Sequence, residues 1–347
     1  MSNGIDRRDF LKRTAAVSVG AALYGSAMAQ ETAPKTPGGD GMIWANLLHL
    51  GFNMWVDWDY PEGRENYTNA SSTLRFDEPL WNDLVDKMAE SGLNMVVIDL
   101  GEGVRYDSHP ELAVEGSWEK PRVKEMLAKL RAKGLEPIPK MNFSATHDHW
   151  LGPFSRCLST DAYYGACKDL IAEAVDLFDK PRFFHLGMDE ETAQHQKRQL
   201  YTVIRQYDLW WKDFLFLVEQ VEKGNSRPWI WSDYIWEHKD VFLKRMPKSV
   251  VQSNWYYGNS FDREKKGEER YVGAYHELAE AGYDQIPTGS NWSHPENFGM
   301  TVDYVTKNLP QEHILGFLQT PWKPTLEACR ERHFAAIEQV RDAKAKV

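Results

Sequence analysis

The segment Phe183-Phe184-His185-Leu186-Gly187-Met188-Asp189-Glu190-Glu191 sets three carboxylates directly behind a short apolar run. Burying such a cluster costs on the order of several kcal/mol unless pairing or function compensates. Adjacent acids suit proton transfer. One carboxyl, its pKa raised by its neighbour and by apolar walls, can give up a proton while the other stays ionised. The competing role for Asp189 or Glu190 is structural, as a cap on the next helix, and Glu191 reads as a helix-start acid.

Two further sets of residues bear on the chemistry. His147-Asp148-His149 offers two imidazoles which, with His185, Asp189 and Glu190, form a donor set for zinc or manganese of the kind used by sugar isomerases and metal-dependent hydrolases. Without a metal, His149 and Trp150 would fit a sugar-binding loop, the His149 imidazole hydrogen-bonding a hydroxyl or steadying an acid, and His185 would stand beside the acid pair. The chain also carries 14 tryptophans. Indole is a costly core filler because its N–H must find a partner, but it makes a flat platform for a sugar ring. A non-catalytic carbohydrate-binding barrel would keep these aromatics and use the acids only as hydrogen-bond acceptors.

The elements that must position these groups alternate short apolar runs with longer amphipathic stretches, the pattern of parallel strands joined through helices. Strands are expected at 43–50, 94–100, 136–141, 182–187, 229–232, 250–254, 285–289 and 315–319. Helices are expected at 77–90, 120–133, 161–178, 198–222, 239–244, 268–281, 301–307 and 326–345. Eight such pairs in one body, residues 42–347, indicate a (β/α)₈ TIM barrel. Gly92 and Gly134 fall where helices should end in a left-handed residue. No glycine-rich phosphate turn follows the first strand, as a doubly wound sheet would require.

In a TIM barrel the strand C-termini and the loops after them build the active site. That rule selects His49 and Asp57 after strand one, Arg105 after strand two, and Asn142 and His149 after strand three. Strand four brings His185 and the acids, and strand five brings Trp231 and Asp233. Trp255, Tyr256 and Tyr257 follow strand six, Trp292 strand seven and Trp322 strand eight. Trp81, Trp210 and Trp211 lie within helices and read as core.

The run His185-Leu186-Gly187-Met188-Asp189-Glu190 resembles the His-x-Gly-Gly-Asp-Glu motif that ends strand four in glycoside hydrolase family 20, the β-N-acetylhexosaminidases. Met188 stands where that motif has its second glycine. The resemblance implies that Glu190 is the general acid/base, protonating the glycosidic oxygen, and that Asp189 orients the substrate's 2-acetamido group. The acetamide oxygen then serves as nucleophile, the substrate-assisted exception to the two-carboxylate arrangement. It also implies a tryptophan-walled acetamide pocket, for which Trp231, Trp255 and Trp322 are the candidates, with Tyr256 or Tyr257 as donor to the acetamide oxygen. The arginine that this family places near the end of strand one is absent from Leu47-Leu48-His49-Leu50-Gly51-Phe52-Asn53. Arg105, Asp57 or Glu102 would have to take over its grip on the outer hydroxyls.

The remaining features set the compartment and the partners. Arg7-Arg8-Asp9-Phe10-Leu11-Lys12, a mildly apolar stretch and Ala27-Met28-Ala29 read as a twin-arginine export signal over residues 1–29, followed by a linker over 30–41. The apolar stretch is too short for a span, so the expected protein is periplasmic or secreted, with no stable membrane span once the signal is cleaved. A net charge of −10 argues against nucleic acid and leaves carbohydrate as the expected partner. Neither a cofactor nor a resident metal is expected. Cys157, Cys167 and Cys329 are too few for a disulfide framework, although Cys157 and Cys167 could bridge a loop.

Overall fold

The structure is a computed structural model that describes residues 41–347. The expected export signal and all but the last residue of the linker lie outside the described residues. Among the described residues, eight barrel strands alternate with eight α-helices. The strands are β1 (Ile43–His49), β2 (Met95–Asp99), β3 (Glu136–Lys140), β4 (Phe183–His185), β5 (Arg227–Trp231), β6 (Val251–Ser253), β7 (Thr288–Gly289) and β8 (Gly316–Gln319). The helices are α1 (Glu78–Glu90), α2 (Lys120–Ala132), α3 (Asp161–Leu177), α4 (Asp208–Lys223), α5 (Tyr234–Arg245), α6 (Glu269–Glu280), α7 (Asn297–Asn308) and α8 (Arg330–Lys344).

All strands pair in parallel, and β8 lies beside β1. The bridges Gln252 to Gln285 and Trp255 to Thr288 join the β6 and β7 segments and close the barrel. This is the TIM barrel that the strand count predicts. None of the helices among the described residues is long and apolar enough to cross a membrane.

Strand alternation sorts the side chains into two layers. Ala45, Leu47, Met95, Val97, Ile138, Phe183, Trp229 and Leu318 form one cluster that fills the barrel. Their neighbours Trp44, Leu48, Val96, Ile98, Phe184 and Ile230 belong to a second, larger cluster shared with the helices. In α4 the stripe Trp210, Phe214, Leu217 and Val221 recurs at helical spacing and is buried. Trp81, Trp210 and Trp211 are core, as the sequence indicates. Gly92 and Gly134 both adopt φ near +76° after α1 and α2. Cys157, Cys167 and Cys329 are unpaired thiols.

The largest departure from the sequence reading follows β4. The helix expected from residue 198 begins only at Asp208. Its first ten residues instead continue an irregular segment that opens with a short turn, His195–Arg198.

Candidate active site

The last inward residues of four neighbouring strands stand in register: His49 beside Asp99, Asp99 beside Lys140, and Lys140 beside His185. All four are buried, and below them the barrel is apolar. Lys140 Nζ pairs with Asp99 and lies 5.9 Å from the ring centroid of Trp322. Burial, reinforced by the Lys140 charge, holds His49 and His185 well below the ordinary imidazole pKa, so both are neutral. Burial pushes Asp99 up against the opposing pull of Lys140. This polar row is a floor beneath the site.

Above the floor, the chain after β4 makes a tight, left-handed passage. Gly187 has φ +72°, and a Cβ there would lie 2.1 Å from Asn142 Oδ1. Met188 and Glu190 adopt φ +75° and +57° although neither is glycine. Such conformations cost of the order of 1–2 kcal/mol per residue and persist only where the surroundings impose them. Here the constraints are identifiable. Met188 N–H donates to Asn142 Oδ1 at 3.3 Å, Ser144 Oγ donates to the Asp189 carbonyl, and Thr146 Oγ1 donates to the Glu190 carbonyl at 2.7 Å. The Glu190 N–H donates to Asp233 Oδ2 at 2.8 Å.

Glu191 completes the clamp. It pairs with the buried Arg205 guanidinium, which also donates to the Phe143 carbonyl at 2.9 Å and approaches Asp213 at 3.4 Å. The helix-start role expected for Glu191, and the capping role considered for Asp189 or Glu190, are both replaced, since the next α-helix begins only at Asp208 and the intervening short 3-10 turn starts at His195.

Asp189 and Glu190 open into a cavity of about 800 Å³ at the C-terminal end of the barrel. Asn142 Nδ2 donates to Asp189 Oδ1 at 2.8 Å. The His147 Nε2 atom lies 3.5 Å from Asp189 Oδ2 and 3.2 Å from Glu190 Oε2. Burial disfavours a charged His147, but the two carboxylates outweigh it and its pKa is pushed up to about 10. Burial opposes ionisation of Asp189 too, yet the charges of His147 and Lys140 and the Asn142 hydrogen bond hold it well below the usual carboxylate range. Asp233, beside the pair, is pushed well above that range by burial and by the charges of Asp189 and Glu190. The site therefore pairs an ionised acid, Asp189, with a carboxyl, Asp233, that favours its neutral form.

Aromatic residues make the walls. Trp231, Trp255, Tyr257 and Trp322 line the cavity, together with Trp55 and Trp236. Their rings contact one another, with Trp231 5.9 Å and Trp55 6.0 Å from Trp322, and Trp255 5.1 Å from Tyr257. Trp55 Nε1 and Trp231 Nε1 are buried without a hydrogen-bond partner among the described residues, so both donors are available to a bound oxygen. Trp322 Nε1 donates to Tyr257 Oη at 2.9 Å, which leaves the phenol's own proton for Thr320, 3.2 Å away, or for a ligand. Tyr256 also lines the cavity, and its ring stacks on Tyr271 of α6. Trp292 lies at the mouth, 45% exposed.

Nine of the residues selected from sequence meet at this cavity: Asp189, Glu190, Trp231, Asp233, Trp255, Tyr256, Tyr257, Trp292 and Trp322. Six do not line it. His49 and His185 belong to the floor, and Asn142 supports Asp189 from behind. Asp57 accepts from the Leu200 N–H at 2.9 Å, tying the loop after β1 to the segment after β4. Arg105 is exposed, paired with Glu119 at 2.9 Å on an outer two-residue ladder, so it cannot grip a substrate in the cavity. Glu102 cannot either, because it is buried and accepts from the Phe52 and Asn53 N–H groups. His149 opens a short turn away from the lining.

The metal set considered from sequence contracts in the same way. His147, Asp189 and Glu190 place donor atoms within 4.8 Å of one another, whereas His149 and His185 stay outside the group. His147, Trp55 and Trp236 also follow strands, as the barrel rule requires, but the sequence reading did not single them out as substrate-binding residues.

No protein-family model matches the chain, and no curated protein matches its sequence. Solved structures do share its fold. The β-N-acetylhexosaminidase from Bacteroides fragilis superposes with a TM-score of 0.58 at 14% identity, over 86% of this chain and 65% of the other. The family 20 β-N-acetylhexosaminidase from Streptomyces coelicolor gives 0.57 at 14% identity, over 86% and 64%. The pneumococcal virulence factor StrH gives 0.57 at 17% identity, over 87% and 83%. The chain thus spans just under two thirds of the first two. The barrel has the fold of family 20 β-N-acetylhexosaminidases, at a sequence distance that matches a remote resemblance.

Proposed function

We propose that this chain is a glycoside hydrolase that cleaves β-linked 2-acetamido sugars with retention of configuration, using the substrate's own acetamide as nucleophile. The observation that carries this reading is the presentation of Asp189 and Glu190, side by side behind β4, to an aromatic-walled cavity of about 800 Å³, within the range of a pocket for a small ligand. The shared fold supports it, and so does the local motif.

In the first step Glu190 gives its proton to the glycosidic oxygen while the acetamide oxygen attacks the anomeric carbon. The carbon–oxygen bond to the leaving group breaks, and a five-membered cyclic intermediate forms. Asp189, held ionised, accepts the acetamide N–H and offsets the positive charge that develops on that group. Its Oδ1 already accepts from Asn142, and each oxygen keeps a second lone pair for the substrate. Tyr257 is placed to donate to the acetamide oxygen, and the indoles of Trp231, Trp255 and Trp322 enclose its methyl group. In the second step the Glu190 carboxylate takes a proton from a water that attacks the anomeric carbon from the face the leaving group left, and the bond from that carbon to the acetamide oxygen breaks. His147 stands 3.2 Å from Glu190 and offsets the negative charge of the carboxylate between the two steps. The twin-arginine signal expected over residues 1–29 would carry this activity out of the cytoplasm.

A panel of aryl β-glycosides with and without the 2-acetamido group, assayed before and after chelator treatment, tests the reading. Chelator-resistant cleavage confined to the 2-acetamido sugars is expected. Chelator-sensitive activity would transfer His147, Asp189 and Glu190 to a metal-dependent role, and no cleavage of any glycoside would leave a binding barrel.

A further inference from the structure

We propose that the leaving-group side of this cavity is an anion-binding subsite, built from His195, Lys197 and Arg198, that favours substrates whose leaving group carries a carboxylate, sulfate or phosphate. The proposal rests on the glycosidase reading and adds the class of leaving group to it.

Glu190 fixes the direction. Its Oε2 faces His147 in the buried part of the site, and its Oε1 lies 3.4 Å from His195 Nε2. A general acid must face the glycosidic oxygen, so the leaving group departs past Glu190 on the side of His195. The tryptophan walls described above enclose the sugar itself. His195, Lys197 and Arg198 all line the cavity and belong to one short turn.

Lys197 and Arg198 are uncommitted cations. Other basic residues in the neighbourhood are neutralised, Arg270 by Glu237 and Arg64 by Asp59. Lys197 and Arg198 have no carboxylate within 4.0 Å among the described residues. Their turn is nonetheless held in place. Trp58 Nε1 donates to the Arg198 carbonyl at 2.7 Å, and Gln199 Nε2 donates to the Trp55 carbonyl at 2.7 Å. The Arg198 guanidinium lies 5.4 Å from the Tyr60 ring centroid. A pair of free, positioned cations at the mouth of a cavity is unexpected in a chain of net charge −10, whose overall field repels anions.

The acid pair dictates where an anion can be accepted. Asp189 and Glu190 repel negative charge in the sugar's own position, whereas past Glu190 the lining turns basic. Substrate charge is therefore tolerated on the leaving group and excluded from the sugar that is cleaved off.

The test compares 2-acetamido β-glycosides of closely matched phenols: 4-(carboxymethyl)phenyl, 4-(sulfomethyl)phenyl and the neutral methyl ester of the first. With the mature protein, kcat/KM for the two anionic glycosides is expected to exceed that for the ester by about fivefold, as two exposed ion pairs allow. The preference should shrink in high salt and fall to about one in the double variant Lys197→Gln/Arg198→Gln. The carboxylate and sulfonate arms show whether the subsite distinguishes between anions. Equal efficiency on charged and neutral glycosides, or a preference that survives the double variant, overturns the subsite alone. Cleavage of none of the three overturns the glycosidase reading and this proposal with it.

Discussion

The His147 imidazole touches both acids of the site, with one nitrogen 3.5 Å from Asp189 Oδ2 and 3.2 Å from Glu190 Oε2. A single buried ring therefore couples the two acids, Asp189, proposed to orient the substrate, and Glu190, proposed to move the proton. Replacing Asp189 with Asn removes half of that coupling. The His147 pKa, about 10 in the native protein, should fall towards the ordinary imidazole value, as followed by NMR titration of the ring. The stability contribution has a defined window. Asp189, depressed in the fold, stabilises above its ordinary pKa of 3.8 and loses that contribution as pH falls below it. His147, raised in the fold, stabilises fully below 6.5 and loses its contribution as pH rises towards 10. The stability difference between native and Asp189→Asn proteins should therefore be largest between about pH 4 and 6.5. A difference that does not vary with pH contradicts the pairing.

Arg205 holds Glu191, and with it the left-handed passage that presents the acids. Arg205→Met leaves the Glu191 and Asp213 carboxylates without their buried partner and should cost about 3–5 kcal/mol in denaturant unfolding. Where the variant still folds, kcat should fall more than KM rises, because the acids are displaced while the tryptophan walls remain. Unchanged stability and unchanged kcat would show that the clamp is dispensable.

The floor pair invites a double-mutant cycle. Lys140→Met leaves Asp99 buried beside a neutral side chain and should destabilise by about 3–5 kcal/mol, whereas Lys140→Met/Asp99→Leu should recover much of that loss. Additive losses in the double variant would mean that the two residues do not act as a pair.

Tyr257 tests the acetamide pocket. Tyr257→Phe keeps the ring and removes the donor, and should lower kcat on 2-acetamido glycosides by roughly 10²-fold. Tyr256→Phe, whose ring packs on Tyr271, should cost far less. Equal effects of the two substitutions would reassign the donor.

The fold was legible because barrel strands announce themselves as short apolar runs. Asn94 to Leu100, for example, contains β2 with one extra residue at either end. Depth was harder to read. His49 and His185 follow the same period-two alternation as the apolar residues below them, and only the register with Asp99 and Lys140 shows that they end in the floor. Residues 198–207 suit a helix by composition, but Asp57, Thr146 and Glu191 capture their polar groups through tertiary contacts that no local pattern encodes. Arg105 was misplaced because a two-residue ladder with Trp118–Glu119 carries the chain outward directly after β2.

Turnover by Glu190→Gln decides the role of the acid pair. On a 2-acetamido β-glycoside with a poor leaving group, kcat should fall by about 10²–10⁴-fold. On the same sugar with an activated phenol, which leaves without protonation, the loss should be much smaller. Equal, modest losses on both substrates, or none, would contradict general acid catalysis by Glu190.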